Sequence, residues 1–408
     1  MSETVKARPK LWVVSELYYP EETSTGYYLT RIAEGLADDF EVGAICAQPN
    51  YSARGTRSPK RERHRDVEIY RAFSTTLDKN VIVYRLVNML TFSAAVFRLC
   101  LSLLKKGDRV LVVTNPPSVP FIVAVCALLK GASYTLLIHD NYPEILVAAE
   151  KTRADSIFVG ALNFLNRWLY KYAAKIIVVG RDMRQLLEKK ASGLDVPVET
   201  IQNWAELETV EPLPRAGNSL LVELGVEQRL VLLYAGNMGY PNDLESIVEC
   251  AARLADDERF FFVFLGAGVK RRWLEKTVAE KKLPNVAVLD PRPRAEQKIF
   301  LNACDVGIVT LVRKMWGVSV PSRTYNILAA GKPILALAED DSEVARVVRE
   351  DGVGWIVRPN DPENLQKTLE EIYENRADLA TMGQNARRAA LEKYSLSAAV
   401  EKYKKALR

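Results

Sequence analysis

Apolar runs and helix-length segments alternate along nearly the whole chain, and few folds accommodate that alternation. In the C-terminal half the runs are Leu230–Tyr234, Phe260–Leu265, Val286–Leu289, Val306–Val309, Pro333–Ala336 and Gly354–Val357. Most are continuously apolar, as a strand buried on both faces must be, and the intervals leave room for crossover helices. The N-terminal half repeats the pattern with Leu11–Val14, Val42–Cys46, Val110–Val113, Tyr134–Ile138 and Ile176–Val179. Helical stretches fall at Gly26–Ala37, Phe121–Leu129 and Phe158–Tyr172. The pattern predicts an α/β protein of two doubly wound domains, and 408 residues suffice for two cores. The polar stretch Glu206–Ser219, with Pro212 and Pro214, reads as the linker between them.

Residues 320–333 read as a short helix with defined ends. Pro321 stops the preceding loop, Ser322 is an N-cap residue, Gly331 suits the left-handed position after the last turn, and Pro333 forbids continuation. The apolar run at Val306 precedes it, so the order is strand, loop, helix N-terminus. At the carboxyl edge of a parallel sheet that order offers backbone N–H groups to an anion. Arg313, Lys314 and Arg323 add cations, which makes a diphosphate the expected ligand. Gly236 with Gly239, and Gly266 with Gly268, follow other strands and permit close approach of backbone to phosphate. The second pair opens like a dinucleotide fingerprint. Arg271 stands at its third glycine position and no acidic ribose anchor follows, which argues against NAD. His139, one of two histidines, ends the run Tyr134–Ile138 beside Asp140, where a functional role outweighs a structural hydrogen bond.

Composition narrows the class. The five cysteines are scattered, odd in number and without a C-x-x-C pair, and read as buried thiols of a reducing compartment. Met1–Lys10 lacks the apolar centre of a signal peptide, so a cytoplasmic location is expected. A net charge of +5 does not support nucleic acid as a partner. Basic residues are concentrated between Arg54 and Arg71, ahead of an apolar segment, residues 81–106, that Arg85, Asn88 and Arg98 interrupt. The interruptions argue against a spanning helix. The reading is a helix buried in the core for most of its length, with the basic flanks bringing this region to an anionic membrane surface.

With these motifs assembled, the chain resembles the GT-B-fold glycosyltransferases, in particular the retaining family 4 type that builds bacterial exopolysaccharide and O-antigen units. The resemblance covers nearly the whole chain. It rests on Tyr18-Tyr-Pro-Glu with Gly26, Ile138-His-Asp-Asn-Tyr-Pro143, Asn203-Trp204, Leu233-Tyr-Ala-Gly-Asn-Met-Gly239, Leu265-Gly-Ala-Gly268 and the segment Pro321–Pro333, in that order and spacing. It implies two Rossmann-like domains facing a central cleft. Residues 1–211 would form the acceptor side and 212–390 would hold the nucleotide sugar, with a terminal helix, Leu396–Leu407, bringing 391–408 back onto the first domain.

The resemblance also implies roles. His139 and Arg323 would act in catalysis. Donor contacts would come from Gly26, Gly236, Asn237, Gly239 and Gly268, from Asp290, Pro291 and Arg292 around the base, and from Arg313 and Lys314. Pro321, Ser322, Arg323, Tyr325 and Asn326 of the helix would complete them. The implied reaction moves a sugar from a UDP-linked donor to a hydroxyl of a polyprenyl-diphosphate-linked saccharide or growing polysaccharide. Configuration would be retained, with the acceptor entering on the face the diphosphate leaves and passing its proton to that phosphate. No D-x-D pair occurs in the chain, so neither a metal nor a cofactor is expected.

Two departures from the family pattern stand out. Val318 and Asn326 occupy the places of a common glutamate pair, and Asn237–Asp243 lacks the usual Arg and Lys. They leave two alternatives open, a non-catalytic sugar-nucleotide-binding partner and a GT-B-fold sugar-nucleotide epimerase.

Overall fold

The computed structural model describes residues 8–50, 57–77 and 81–408. The chain forms two compact units: Met1–Pro143 with Asp155–Gln202 and Ser397–Arg408, and Glu144–Ala154 with Asn203–Leu396.

In the first unit the chain runs β1 (Lys10–Val14), α1 (Ser24–Leu36), β2 (Glu41–Cys46), β3 (Arg61–His64), β4 (Val67–Arg71), α2 (Ile82–Leu103), β5 (Arg109–Val113), α3 (Val119–Lys130) and β6 (Ser133–Ile138). After α4 (Glu144–Ala148), which belongs to the second unit, come α5 (Ile157–Lys171), β7 (Lys175–Val178), α6 (Arg181–Lys190) and β8 (Val198–Thr200). The sheet order is β3-β4-β2-β1-β5-β6-β7-β8, parallel except for the antiparallel β3–β4 pair. Trp12 on β1 donates to Asp108 at 2.9 Å, and its ring fills the place that a Cβ on Gly43 of β2 would take.

Two expectations for this unit need correction. The basic run is partly a hairpin: Arg61 pairs with Glu68, Arg63 with Asp66, and the buried Arg71 with Glu62. Arg54, where the run begins, lies outside the described residues. Second, α2 is not mainly a core helix. A stripe of Asn88, Phe92, Val96 and Cys100 is buried, while Val83, Leu86 and Leu90 face outward. Only 28% of its most apolar span is buried.

The second unit follows with α7 (Ser219–Leu224), β9 (Leu230–Ala235), α8 (Leu244–Arg253), β10 (Phe260–Leu265), α9 (Arg271–Lys281), β11 (Val286–Leu289), α10 (Gln297–Ala303), β12 (Val306–Thr310) and α11 (Arg323–Ala329). It continues with β13 (Ile334–Leu337), α12 (Glu343–Asp351), β14 (Gly354–Val357), α13 (Pro362–Glu374) and α14 (Asp378–Glu392). Its strands coincide with the apolar runs within a residue or so and form an all-parallel sheet in the order β11-β10-β9-β12-β13-β14. Leu232, Phe262, Phe264 and Leu335 sit at the centre of the core. The polar stretch after Glu206 is not a loose linker. Leu213 N–H donates to Asn302 Oδ1 at 2.8 Å, and Asn302 Nδ2 donates to the Glu211 carbonyl at 2.9 Å.

The last helix, α15 (Leu396–Leu407), contributes Ser397–Arg408 to the first unit. Lys404 and Arg408 both pair with Asp39, Arg109 donates to the Leu407 carbonyl at 2.6 Å, and Val400 packs against Gly35, where any Cβ would clash. All five cysteines are buried and free. In each sheet the strand order reverses once, between β1 and β5 in the first and between β9 and β12 in the second. Such reversals open a crevice at the carboxyl ends of the strands.

Candidate active site

In the second unit the reversal sets the loop after β9 beside the loop after β12. The first of these is held from several sides. Gly236 N–H donates to the Leu265 carbonyl at 2.9 Å and Met238 N–H to the Ala267 carbonyl at 2.7 Å. The Tyr234 hydroxyl and Asn242 Nδ2 both donate to the Asn237 carbonyl, at 2.6 and 3.1 Å. Gly236 and Gly266 have φ of +144° and +149°, and a Cβ on Gly266 would stand 2.0 Å from the Gly236 carbonyl oxygen. Side chains are excluded there, so the two loops press backbone on backbone. Gly268 approaches the Met238 carbonyl in the same way, whereas Gly239 sits beside the Asn237 side chain.

Arg323, the first residue of α11, reaches this loop. Its Cζ lies 4.3 Å from the centroid of the Tyr234 ring and would be 3.0 Å from a Cβ on Gly236. Its Nη1 is buried and has no hydrogen-bond partner. An arginine carries five donors and no acceptor, and a buried donor left without an acceptor is costly, so the position is suited to an anion. Burial raises the Tyr234 hydroxyl pKa above that of a free phenol, against a smaller opposing pull from Arg323, so the ring stays neutral. The helix itself is seven residues long and Ser322 makes no side-chain cap bond, so the full charge of Arg323 outweighs the helix end. Gly331 adopts the left-handed conformation expected of it, with φ of +64°.

The remaining residues predicted for this site are dispersed. Pro321 accepts the Thr324 N–H at 3.2 Å, which starts the helix. Tyr325 is buried, its ring 5.0 Å from that of Tyr394, and so faces the interior. Arg313 donates to the Pro359 carbonyl at 3.3 Å, and Lys314 is exposed with φ of +67°. Asp290 pairs with Arg271, which also donates to the Gly266 carbonyl at 2.7 Å. Pro291 is exposed, and Arg292 pairs with Glu223 and Glu296.

Asn326 points to a group that the sequence did not reveal. Its Oδ1 accepts the Glu206 N–H at 3.1 Å, and its Nδ2 donates to the Glu206 carboxylate and to the Gln297 amide oxygen. Arg294 closes a bidentate pair on Glu206. A carboxylate therefore does lie beside position 326, supplied from Glu206. Val318 joins an apolar cluster with Leu311, Met315 and Ala148. Lys151 was also missed. It belongs to the second unit, and its Nζ stands 3.6 Å from the Tyr240 ring centroid, putting a cation beside the loop that lacks the family's Arg and Lys.

In the first unit, His139 follows β6. Its Nε2 is buried without a partner, and burial pushes its pKa down to about 4, so the imidazole is neutral at physiological pH. Gly26 lies in the first turn of α1, its N–H directed at Thr23 Oγ1 at 3.4 Å. A Cβ there would stand 2.8 Å from the Glu21 carbonyl oxygen, so local packing already accounts for a glycine. Among the described residues no group of three or more His, Cys, Asp or Glu side chains could hold a metal ion.

Residues 24–204 match the model of the glycosyl transferase 4-like domain, and residues 222–389 that of glycosyl transferases group 1. A relative from Pseudomonas aeruginosa, the probable glycosyltransferase WbjE, is 32% identical over 395 residues, spanning 97% of this chain and 96% of its own. Among solved structures, sucrose-phosphate synthase from Thermosynechococcus elongatus superimposes with a TM-score of 0.80 at 15% identity, covering 98% of both chains. HepE from Anabaena, solved in complex with UDP-glucose, gives 0.71 at 14% identity over 98% of this chain and 99% of its own. These neighbours share the two-domain GT-B fold, and the family models with the WbjE relative show that this chain belongs to the group 1 glycosyltransferases.

Proposed function

We propose that the protein is a retaining, metal-independent glycosyltransferase that moves a hexosyl or N-acetylhexosaminyl group from a UDP-linked donor to a hydroxyl of a polyprenyl-diphosphate-linked saccharide or growing polysaccharide. The carrying observation is Arg323, whose buried Nη1 has no acceptor and whose guanidinium lies against the Gly236 backbone at the reversal of strand order. The hard step is departure of a nucleoside diphosphate, on which charge accumulates as the glycosidic bond lengthens. A fixed cation that binds this charge more strongly in the transition state lowers the barrier directly. Lys151 adds a second cation within the same unit, and in the first unit the neutral His139 is suited to hydrogen-bond a hydroxyl. The UDP-glucose held by HepE supports the choice of nucleotide. A location on the cytoplasmic face of the membrane follows from a lipid-linked acceptor.

Thermal stabilisation by a panel of nucleotide sugars identifies the donor, since a ligand at ~100 times its dissociation constant adds about 2.7 kcal/mol. NMR of the anomeric proton in the product then reads retention. The presence of Val318 and Asn326 where the family has glutamates favours a second reading, a non-catalytic sugar-nucleotide-binding partner. Tight donor binding with neither transfer nor slow donor hydrolysis would establish it.

A further inference from the structure

Three neighbouring helices of the first unit, α2, α3 and α5, carry no aspartate or glutamate along their whole lengths. Helix α2 packs along α3, through a 2.9 Å contact of Ser93 and Ser118 hydroxyls, and α3 touches α5. Each buries one stripe and leaves an apolar stripe open. On α5, Ile157 is 93% exposed and Phe164 75%. On α3, Leu129 is 68% exposed, and on α2, Val83 and Leu90 are each 63% exposed. Exposed apolar side chains are ordinary singly, but here they recur on adjacent helices. By length and composition α2 could cross a membrane. Its buried stripe instead anchors it to the unit, with Asn88 Nδ2 donating to the Leu77 carbonyl at 3.0 Å, so it is a surface helix.

We propose that this face, rather than the basic β3–β4 hairpin, is where the protein docks on an anionic lipid bilayer. The inference rests on the membrane location proposed above and supplies its surface. Charge selects the occupant. Arg85, Arg98, Lys130, Arg167 and Lys171 are the charged residues of the three helices, so the helices are cationic with no acid of their own. A second copy meeting it symmetrically would set cation against cation. An anionic headgroup layer accepts the cations while its acyl boundary takes the apolar stripes. Trp168 and the half-exposed Tyr172, with ring centroids 5.7 Å apart at the end of α5, are residue types that settle at headgroup depth. The hairpin offers less, because Arg61, Arg63 and Arg71 are already paired with acids.

The test is co-sedimentation of the full chain with phosphatidylcholine vesicles, with and without phosphatidylglycerol, at low salt. Variants compared are Leu129→Glu with Phe164→Glu on the face, and Arg61→Gln with Arg63→Gln on the hairpin. All four side chains are exposed, and a melting curve verifies that each variant is folded. The proposal expects wild-type protein to pellet with anionic vesicles, the face variant to lose at least about tenfold in partitioning, and the hairpin variant to lose less than about twofold. If the hairpin variant loses binding and the face variant keeps it, the surface assignment is overturned and the membrane location survives. Recovery of wild type in the supernatant with both vesicle types overturns the membrane location and the surface with it. A dimer in lipid-free sedimentation that the face variant dissolves, with no vesicle binding by wild type, assigns the face to a second copy instead.

Discussion

Arg323 sets its guanidinium carbon 4.3 Å from the centre of the Tyr234 ring and leaves Nη1 buried without an acceptor. The ring packs against the guanidinium, and a lysine reproduces the charge but neither the planar fork nor the donor count. Arg323→Lys is expected to lower kcat by about 10²-fold while changing the donor Kd by less than about tenfold, because leaving-group charge is largest in the transition state. Steady-state kinetics alongside calorimetric donor titration check this. Equal losses in both quantities would assign Arg323 to ground-state binding alone.

The contact of Gly266 with the Gly236 carbonyl makes a stability prediction. Gly266→Ala introduces a Cβ 2.0 Å from that oxygen at a φ of +149°. It is expected to cost at least about 2 kcal/mol in urea unfolding and to weaken donor binding, since the loop must move to relieve the clash. Wild-type stability in this variant would show that the loop is soft.

Asn326 and Glu206 make a paired test. Restoring the family residue with Asn326→Glu places two carboxylates where one amide now donates to a carboxylate. The single variant is expected to lose ~1–3 kcal/mol, and adding Glu206→Gln to recover most of it, a coupling that a double-mutant cycle measures directly. Additive losses would mean that the two side chains act independently.

These sites differ in how far the sequence discloses them. The strands of the second unit were legible because burial on both faces leaves continuous apolar runs, and the ends of α11 were legible because Pro321 and Gly331 act through local geometry. Strand β3 was hidden because Arg61-Glu-Arg-His has no apolar run, its order coming from pairing with β4. The exposure of α2 was hidden for a different reason: apolar residues along a helix read alike whether they face the core or the surface. Glu206 meets Asn326, and Lys151 meets Tyr240, only after the chain folds, and no local pattern announces such a meeting. The departure at Asn326 was visible, but its compensation from Glu206 was not.

His139 supplies a pH dependence. Its pKa falls from 6.5 to about 4 through burial, so the folded protein declines a proton that the unfolded chain accepts. Above pH 6.5 both states are neutral there and nothing is lost. As pH falls from 6.5 toward 4, the unfolded state gains the proton and stability declines across that window. His139→Asn is expected to flatten this part of the stability profile, measured as urea midpoints at pH 7 and pH 5. Imidazole NMR should show His139 untitrated down to pH 5, and the two histidines make assignment simple. A titration midpoint near 6.5 for His139 would show that its ring is open to water.

The clasp of α15 on Asp39 and Gly35 has a consequence for synthesis. Ser397–Arg408 completes the first unit, yet Asn203–Leu396 must be translated before it exists. At ~5–20 residues per second that interval is on the order of tens of seconds, during which β1, β2 and α1 have emerged without their final partner. The unit made first is thus finished last, and its exposed α1 surface must stay out of wrong associations while the second unit folds. Maturation of the two units is therefore tied together by chain order, and an early-terminated product carries an uncovered α1 face that quality-control proteases can recognise.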